Sequence, residues 1–84
     1  MTNYVTTDDK FEDILYELEQ LIPDNYKHSV DNILTYILSG GHNIAFEKLK
    51  FLAQYRKEFD EDTNTVIQKL LFLLSIRLGI KLKE

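Results

Sequence analysis

The residues best suited to chemistry in this chain are the acidic side chains of its first third and a tyrosine among them. In a helix, which turns about 100° per residue, Tyr16 points almost opposite the apolar side chains of its own segment. Tyrosine is common in protein interfaces, and carboxylates attract Lys and Arg, so this grouping favours contact with a basic protein. The alternative is an acidic face that only keeps the chain soluble. The predicted partner-binding surface consists of Asp9, Glu12, Asp13, Tyr16, Glu17, Glu19, Gln20, Asp24 and Asp31.

The charge of the chain is unevenly distributed. Residues 1–31 hold eight acids and two lysines, a net of −6, whereas residues 32–84 hold six acids and eight Lys or Arg, a net of +2. Such asymmetry bears on partners and association rates. A chain of net −4 would be repelled by phosphates, and its basic residues are interrupted by acids. We therefore expect a basic protein partner and no direct nucleic-acid binding.

Catalytic and metal-binding patterns are weak. The only histidines, His28 and His42, lack a second ligand at metal-binding spacing, and cysteine is absent. We expect both on the surface or beside a helix cap. Gly40-Gly41 lacks the rest of a phosphate-binding loop. Ser29 lacks the preceding acid of the Asp-Ser-Leu motif that carries phosphopantetheine in acyl carrier proteins. The carboxylates look solvated, which argues against a raised pKa for acid catalysis. The sequence predicts no enzyme, no catalytic residues, no cofactor and no metal.

Apolar side chains recur every three or four residues, which predicts an all-α fold. We expect four helices in a compact bundle or an orthogonal array, forming one domain over residues 1–84 with a flexible N-terminus (1–6) and a short C-terminal tail (80–84). The predicted helices cover about 7–22, 24–39, 42 or 43 to the loop 59–62, and 62 or 63 to 78. Thr7 or Asp8 is expected to cap the first helix, and Asp62 or Thr63 the fourth. Predicted stops are Pro23, Gly40-Gly41 and Gly79.

Four large apolar residues fall away from the main apolar stripes of their helices: Phe51, Tyr55, Phe72 and Ile76. The favoured interpretation turns them into the core. The alternative leaves them as an exposed docking or dimer patch, which would suit a homodimeric helical scaffold or adaptor. The sequence leaves a monomer and a weak homodimer open.

The chain shows no targeting or membrane signal. Its first ten residues lack a basic leader followed by an apolar stretch, so no signal peptide is predicted. The longest apolar run, 70–74, is far shorter than the roughly 20 residues that span a bilayer. A cytoplasmic protein with no membrane contact is expected.

The second half of the chain resembles a family of bacterial immunity proteins. Its residues read Gly40-Gly41 at a turn, Ala45-Phe46-Glu47-Lys48-Leu49 at a helix start, Phe59-Asp60-Glu61-Asp62 at an acidic turn, and Leu78-Gly79-Ile80 at the end of the last helix. This order is similar to that of the small MafI-type immunity proteins of contact-dependent growth inhibition and related toxin systems. One departure is Gly41, which stands where the family frequently has a glutamate.

The resemblance implies a cytosolic antitoxin that binds and neutralises the C-terminal domain of a secreted toxin, often a nuclease. This expectation agrees with the charge pattern, since nuclease domains present basic surfaces to phosphates. An acidic protein can occupy such a surface, and opposite charge speeds the encounter. The predicted mechanism is stoichiometric steric and electrostatic blockade without turnover.

Overall fold

Four α-helices account for most of the chain. The structure is a computed structural model that describes residues 7–79, with side chains from residue 10 onward. The helices are α1 (Thr7–Leu21), α2 (Lys27–Leu38), α3 (His42–Ala53) and α4 (Glu61–Leu78). Two 3-10 turns, Asp24–Tyr26 and Arg56–Glu58, precede α2 and follow α3. Residues 7–79 contain no strand, so the all-α prediction is confirmed. The predicted N-terminus (1–6) and tail (80–84) lie outside the described residues, as do the side chains of Thr7 and Asp8, either of which was expected to cap the first helix.

The helices pack in chain order, and the last one returns to the first: α1 contacts α2, α2 contacts α3, α3 contacts α4, and α4 contacts α1. Neighbouring helices run in opposite directions. Tyr26 before α2 contacts Tyr55 after α3, while Lys48 within α3 lies over the ring of Tyr36 near the end of α2. Likewise the Thr63 hydroxyl near the start of α4 donates to the carbonyl of Leu21 at the end of α1, at 3.3 Å. The arrangement is an antiparallel four-helix bundle.

One apolar core joins all four helices. Each helix contributes the stripe that its three- and four-residue spacing predicts, because those positions share one helix face. The most deeply buried apolar side chains are Phe11, Leu15, Leu18, Val30, Ile33, Ile37, Leu49, Ile67, Leu70 and Leu74. A chain this short buries only about 60% of its unfolded surface, so each of these positions carries much of the stability.

Glycine and proline set the helix ends. Gly40, at φ +87°, follows α2 in the left-handed conformation. Its N–H donates to the carbonyl of Ile37 at 3.2 Å, and the Gly41 N–H donates to that of Tyr36 at 2.7 Å. This double hydrogen bond is the Schellman motif, which satisfies carbonyls that the helix end would leave open. Gly79 ends α4 in the same conformation, at φ +74°, as the sequence predicted.

The start of α4 differs from the prediction. The cap is Asp60, not Asp62 or Thr63, and its Oδ1 accepts the Thr63 backbone N–H at 2.8 Å. Thr63 itself is fully buried because its hydroxyl reaches the carbonyl of Leu21. Because the Thr63 side chain is hydrogen-bonded to α1, it does not cap α4. The helix begins earlier, at Glu61, with Asp60 as its cap.

Replacing Asp60 by alanine should lower the melting temperature by a few degrees at neutral pH, because the N-terminal N–H groups of α4 lose their acceptor. Hydrogen bonds from the Thr63 side chain and backbone hold the pKa of Asp60 below its ordinary 3.8. A lowered pKa means that the ionised form stabilises the fold at pH values above 3.8, and that this contribution disappears as pH falls through the lowered pKa. Thermal unfolding followed by circular dichroism at pH 7 and near pH 2 measures both effects.

Asp62→Ala is the matched control for this cap, since Asp62 is exposed in the first turn of the same helix. It removes only a favourable charge near the helix dipole, which is a smaller effect. A larger loss in Asp62→Ala than in Asp60→Ala would contradict the assignment of the cap.

The two histidines have different environments. His28 is exposed on α2, as predicted. His42 is the first residue of α3 but is buried, with its ring centroid 5.9 Å from that of Phe11 on α1. Of the two positions expected for His42, it takes the one beside a helix cap, Gly41, and not the surface one, because the turn at Gly41 brings the first residue of α3 against α1.

Within residues 7–79, no helix combines the length and the apolar composition needed to cross a bilayer.

Candidate functional site

The exposed face of α1 carries the predicted tyrosine. Tyr16 is 49% exposed, and its hydroxyl donates to Oε2 of Glu12, one helical turn earlier, at 3.3 Å. The negative charge of Glu12 and this hydrogen bond raise the pKa of Tyr16, and Glu19 and Asp13 act in the same direction. The ring therefore lies in a negative field and keeps its proton, so it presents an apolar surface beside carboxylates.

Two carboxylates from different helices meet next to this tyrosine. Glu19 on α1 and Asp31 on α2 are close enough to share a hydrogen bond, which raises the pKa of Glu19, while Lys27 acts in the opposite direction. The sequence predicted solvated carboxylates without the raised pKa that acid catalysis uses. The pKa of Glu19 departs from this prediction, because Asp31 raises it more than burial does. When both carboxylates are ionised they repel each other, and a cation placed between them would remove that repulsion.

Lys27 neutralises only part of the negative charge around Glu19 and Asp31. The ammonium group of Lys27 donates to the backbone carbonyl of Glu19 and lies 3.8 Å from the carboxylate of Asp24. The Asp24 side chain is almost fully exposed, so this pair is a weak surface interaction. The α1–α2 surface thus keeps an excess of negative charge.

The predicted partner-binding residues do not all share one surface. Glu12, Tyr16, Glu19, Asp24 and Asp31 lie along the α1–α2 side, and we call these five residues the acidic face. Asp13 and Gln20 are exposed on the other side of Tyr16, where the charge of Asp13 still acts on the tyrosine and borders the acidic face. Glu17 lies further round, in a shallow depression beside Asp62 and Val66 of α4. The side chain of Asp9 is outside the described part of the chain. The structure therefore brings together five of the nine predicted residues around one acidic surface.

A second surface is a groove between α2 and α3, of which the sequence indicated only Phe51 and Tyr55, as the alternative of an exposed docking or dimer patch. It encloses about 570 Å³, a size typical of ligand pockets. We call it the aromatic groove and define it by its lining residues: Asn25, Tyr26, Ser29, Asn32, Ile33, Glu47, Lys48, Phe51, Leu52 and Tyr55. The signal that could have revealed it is the four-residue spacing of Glu47, Phe51 and Tyr55, which puts a carboxylate and two rings on one side of α3.

Four aromatic rings lead from the core to the open side of this groove. Phe59 is buried and meets the edge of Tyr26 at 4.9 Å between centroids. Tyr26 lies 5.8 Å from Tyr55, and Tyr55 meets Phe51 edge-to-face at 5.6 Å. Phe51 is 59% exposed and Tyr55 is 37% exposed. The favoured prediction that Phe51 and Tyr55 turn into the core is wrong, because α3 buries only the opposite stripe, which includes Leu49 and Leu52.

The hydroxyl of Tyr26, which lines the groove, makes a hydrogen bond that changes its pKa. The Tyr26 hydroxyl donates to Oε1 of Glu58 at 2.7 Å, and this bond raises the pKa of Tyr26 to about 12. The folded state therefore retains the phenolic proton that an unfolded chain loses near pH 10, so this bond stabilises the fold below pH 10 and the contribution disappears as pH rises through about 12. We expect Glu58→Ala to move the pKa of Tyr26 back toward 10.0, measured from the ring carbon shifts of labelled tyrosine. An unchanged Tyr26 titration would show that this bond does not hold the proton.

The exposed side of α4 carries the remaining apolar residues. Phe72 is 57% exposed and Ile76 is similarly exposed, so the favoured prediction that they face the core is also wrong. The helix is central to the bundle through its opposite side, where Leu70 and Leu74 are fully buried. Within residues 10–79 no group of His, Asp or Glu side chains is arranged to hold a metal ion.

No family model, curated protein or solved structure matches this chain. The likeness of residues 39–80 to MafI-type immunity proteins therefore stays a prediction, and the functional argument that follows depends on the two surfaces themselves.

Proposed function

We propose that this protein is an immunity protein that binds a cognate toxin domain, a basic nuclease, and blocks it stoichiometrically in the cytoplasm. The observation that carries the proposal is the acidic face: an exposed tyrosine, hydrogen-bonded to Glu12, among carboxylates of α1 and α2 that Lys27 compensates only in part and that repel one another when ionised. Such a surface gains most from a cationic protein, because Lys or Arg side chains would relieve the repulsion while the Tyr16 ring is buried.

The distribution of charge supports a role in fast capture. Most of the excess negative charge lies in residues 1–31, and the structure concentrates much of it on α1 and α2. A one-sided field of this kind increases the rate of encounter with a basic partner, and salt weakens the effect. An immunity protein must reach its toxin before the toxin acts, so a high association rate suits this function.

The proposed mechanism uses no chemistry by this chain. The acidic face would occupy the surface that a nuclease presents to phosphates, and the bulk of the bundle would exclude the substrate. Affinity would depend on a few desolvated contacts, with Tyr16 the foremost, while the surrounding carboxylates set orientation and association rate.

Co-expression tests this proposal. The large secreted protein expected directly upstream of the coding frame supplies the C-terminal domain to be used. Wild-type chain should restore growth to cells that produce this domain, and the Tyr16→Ala, Asp13→Lys variant should protect them poorly. Equal protection by wild type and variant, at equal expression, would exclude the acidic face as the blocking surface. The absence of such a reading frame, or growth arrest despite wild-type chain, would contradict the immunity function itself.

A homodimeric scaffold or adaptor is the second candidate, and the exposed pair on α4 favours it. Phe72 and Ile76 lie one turn apart on the same exposed side, and two such patches could pair about a twofold axis. Light scattering on the purified chain separates the candidates. A stable dimer that Phe72→Ala dissociates supports the scaffold, whereas a monomer at micromolar concentration supports the proposed immunity function.

A further inference from the structure

We propose that the aromatic groove binds an arginine side chain of the basic partner, as a second contact point separate from the acidic face. This inference rests on the proposed function only in taking the partner to be a basic protein. The groove itself is described by the residues of this chain, and its binding chemistry can be tested without the partner.

The groove is preformed, because contacts within this chain fix the residues that line it. Tyr26 is held by its nearly perpendicular packing against the buried ring of Phe59 and by its hydrogen bond to Glu58. The turn that carries Tyr55 and Phe59 is fixed from α4, where the side-chain amide of Asn64 donates to the carbonyl of Arg56 at 2.9 Å. A rigid site loses little conformational freedom on binding, so even a small side chain can bind there.

Aromatic faces of this chain already attract cations. The ammonium group of Lys48 lies 5.4 Å from the ring centroid of Tyr36, and that of Lys50 lies 5.4 Å from that of Phe46. The outermost ring, Phe51, has an exposed face with no such cation among residues 10–79. A guanidinium group stacks on aromatic faces better than an ammonium group does, because it is planar and more weakly hydrated.

The polar walls of the groove offer acceptors for a guanidinium group. Asn25, Ser29 and Asn32 follow the α2 wall at helical spacing, and their side chains make no hydrogen bond to residues 10–79. Glu47 provides a carboxylate on the α3 wall, where its only ion pair within this range is an exposed one with Lys50 at 3.7 Å. Five N–H donors in one plane can use several of these oxygens at once.

Charge decides between an arginine and an anionic ring such as a nucleotide. Asp24 and Asp31 of the acidic face lie one position before Asn25 and Asn32 of the groove, so the two surfaces border the same exposed ridge of α2. Lys48, the basic residue that lines the groove, is directed to the Tyr36 ring. The groove and the acidic face therefore favour the same cationic partner.

An NMR titration of the isolated chain with capped tripeptides tests the proposal. Acetyl-Gly-Arg-Gly-amide should shift the ring resonances of Phe51 and Tyr55 with a dissociation constant on the order of 10 mM or tighter. The dissociation constant of the lysine tripeptide should be higher by roughly threefold or more. The same is expected of the citrulline tripeptide, whose side chain keeps the planar group but lacks the charge. Equal shifts from all three peptides, or shifts confined to the ring of Tyr16, would overturn the proposal.

Two groove variants and a matched control complete this test. Phe51→Ala and Glu47→Gln should each raise the dissociation constant of the arginine tripeptide roughly threefold or more. Phe72→Ala should leave it unchanged, because Phe72 is as exposed as Phe51 but lies on α4 outside the groove. Weakening by Phe72→Ala equal to that by Phe51→Ala would contradict the site. Uridine monophosphate is added in a parallel titration, and tighter binding of this nucleotide than of the arginine tripeptide would assign the groove to an anionic ring instead.

The outcomes separate this inference from the proposed function. The arginine tripeptide could bind while the Tyr16→Ala, Asp13→Lys variant protects cells as well as wild type does. That result would support the groove as an arginine site and exclude the acidic face as the blocking surface. If that variant loses protection but the tripeptide shifts neither Phe51 nor Tyr55, only the groove proposal fails.

Discussion

Replacing Tyr16 by alanine together with Asp13 by lysine should weaken binding of the toxin domain by about 3 kcal/mol, roughly a 100-fold rise in Kd. The tyrosine substitution removes the ring that is buried on binding. The lysine places a positive charge where the partner is positive, which slows association and disfavours the docked state. Titration calorimetry gives the affinity, and stopped-flow kinetics at low and physiological salt gives the electrostatic part of the association rate.

A matched variant separates the acidic face from a general change in charge. Thr65→Lys, Gln68→Lys and Phe72→Ala together remove one exposed aromatic ring and change the net charge by the same amount, at exposed positions on α4. We expect this triple variant to retain affinity within a few-fold of wild type. A loss equal to that of the Tyr16 and Asp13 variant would show that only net charge matters.

Leu70→Ala should destabilise the protein by about 2–5 kcal/mol, because it leaves a cavity in the core of the bundle. Leu70 is fully buried among side chains from the other helices. A chain of this length has a total free energy of unfolding of roughly 4–13 kcal/mol, so the variant would be partly unfolded at 37 °C if the wild type lies at the lower end. Urea unfolding followed by circular dichroism measures the change.

Phe72→Ala is the control for the core, since it lies two residues along the same helix on the exposed side. In a monomer it should change the free energy of unfolding by no more than about 0.5 kcal/mol. A loss as large as that of Leu70→Ala, growing with protein dilution, would show that Phe72 is buried in a dimer and would favour the scaffold function.

Local sequence was sufficient to predict the helices, because their ends depend on neighbouring residues. Pro23 cannot continue α1, and Gly40 and Gly79 adopt the left-handed conformation that closes α2 and α4. The exposure of Tyr16 followed from helical geometry alone. One error at this level was the cap of α4, where Asp60 was overlooked although it stands three residues before Thr63, the spacing of a side-chain cap.

Contacts between helices could not be predicted from the sequence. Helical periodicity gives the angle of a residue around its own helix, but not which neighbouring helix covers it. His42 was expected on the surface or beside a helix cap; it does follow the cap residue Gly41, but its burial against Phe11 of α1 depends on the packing of two helices. Phe51 was expected in the core, yet no helix within residues 7–79 covers its side of α3. The meeting of Glu19 with Asp31 depends on the pairing of α1 with α2, which again is tertiary information.

The two surfaces divide the proposed binding between them. The acidic face supplies charge and one exposed ring, which suits encounter and orientation. The aromatic groove supplies rigid rings and polar side chains that can accept hydrogen bonds, and these suit the recognition of one specific side chain. Both border the exposed ridge of α2, so one basic partner could contact them together.

The most direct measurement of the central claim is the structure of the complex between this chain and the toxin domain. We expect the Tyr16 ring to be buried against the toxin, with Lys or Arg side chains within 4 Å of the carboxylates of Glu19 and Asp31. A complex in which the residues of the acidic face contact only water, while another surface of the bundle holds the toxin, would contradict the account.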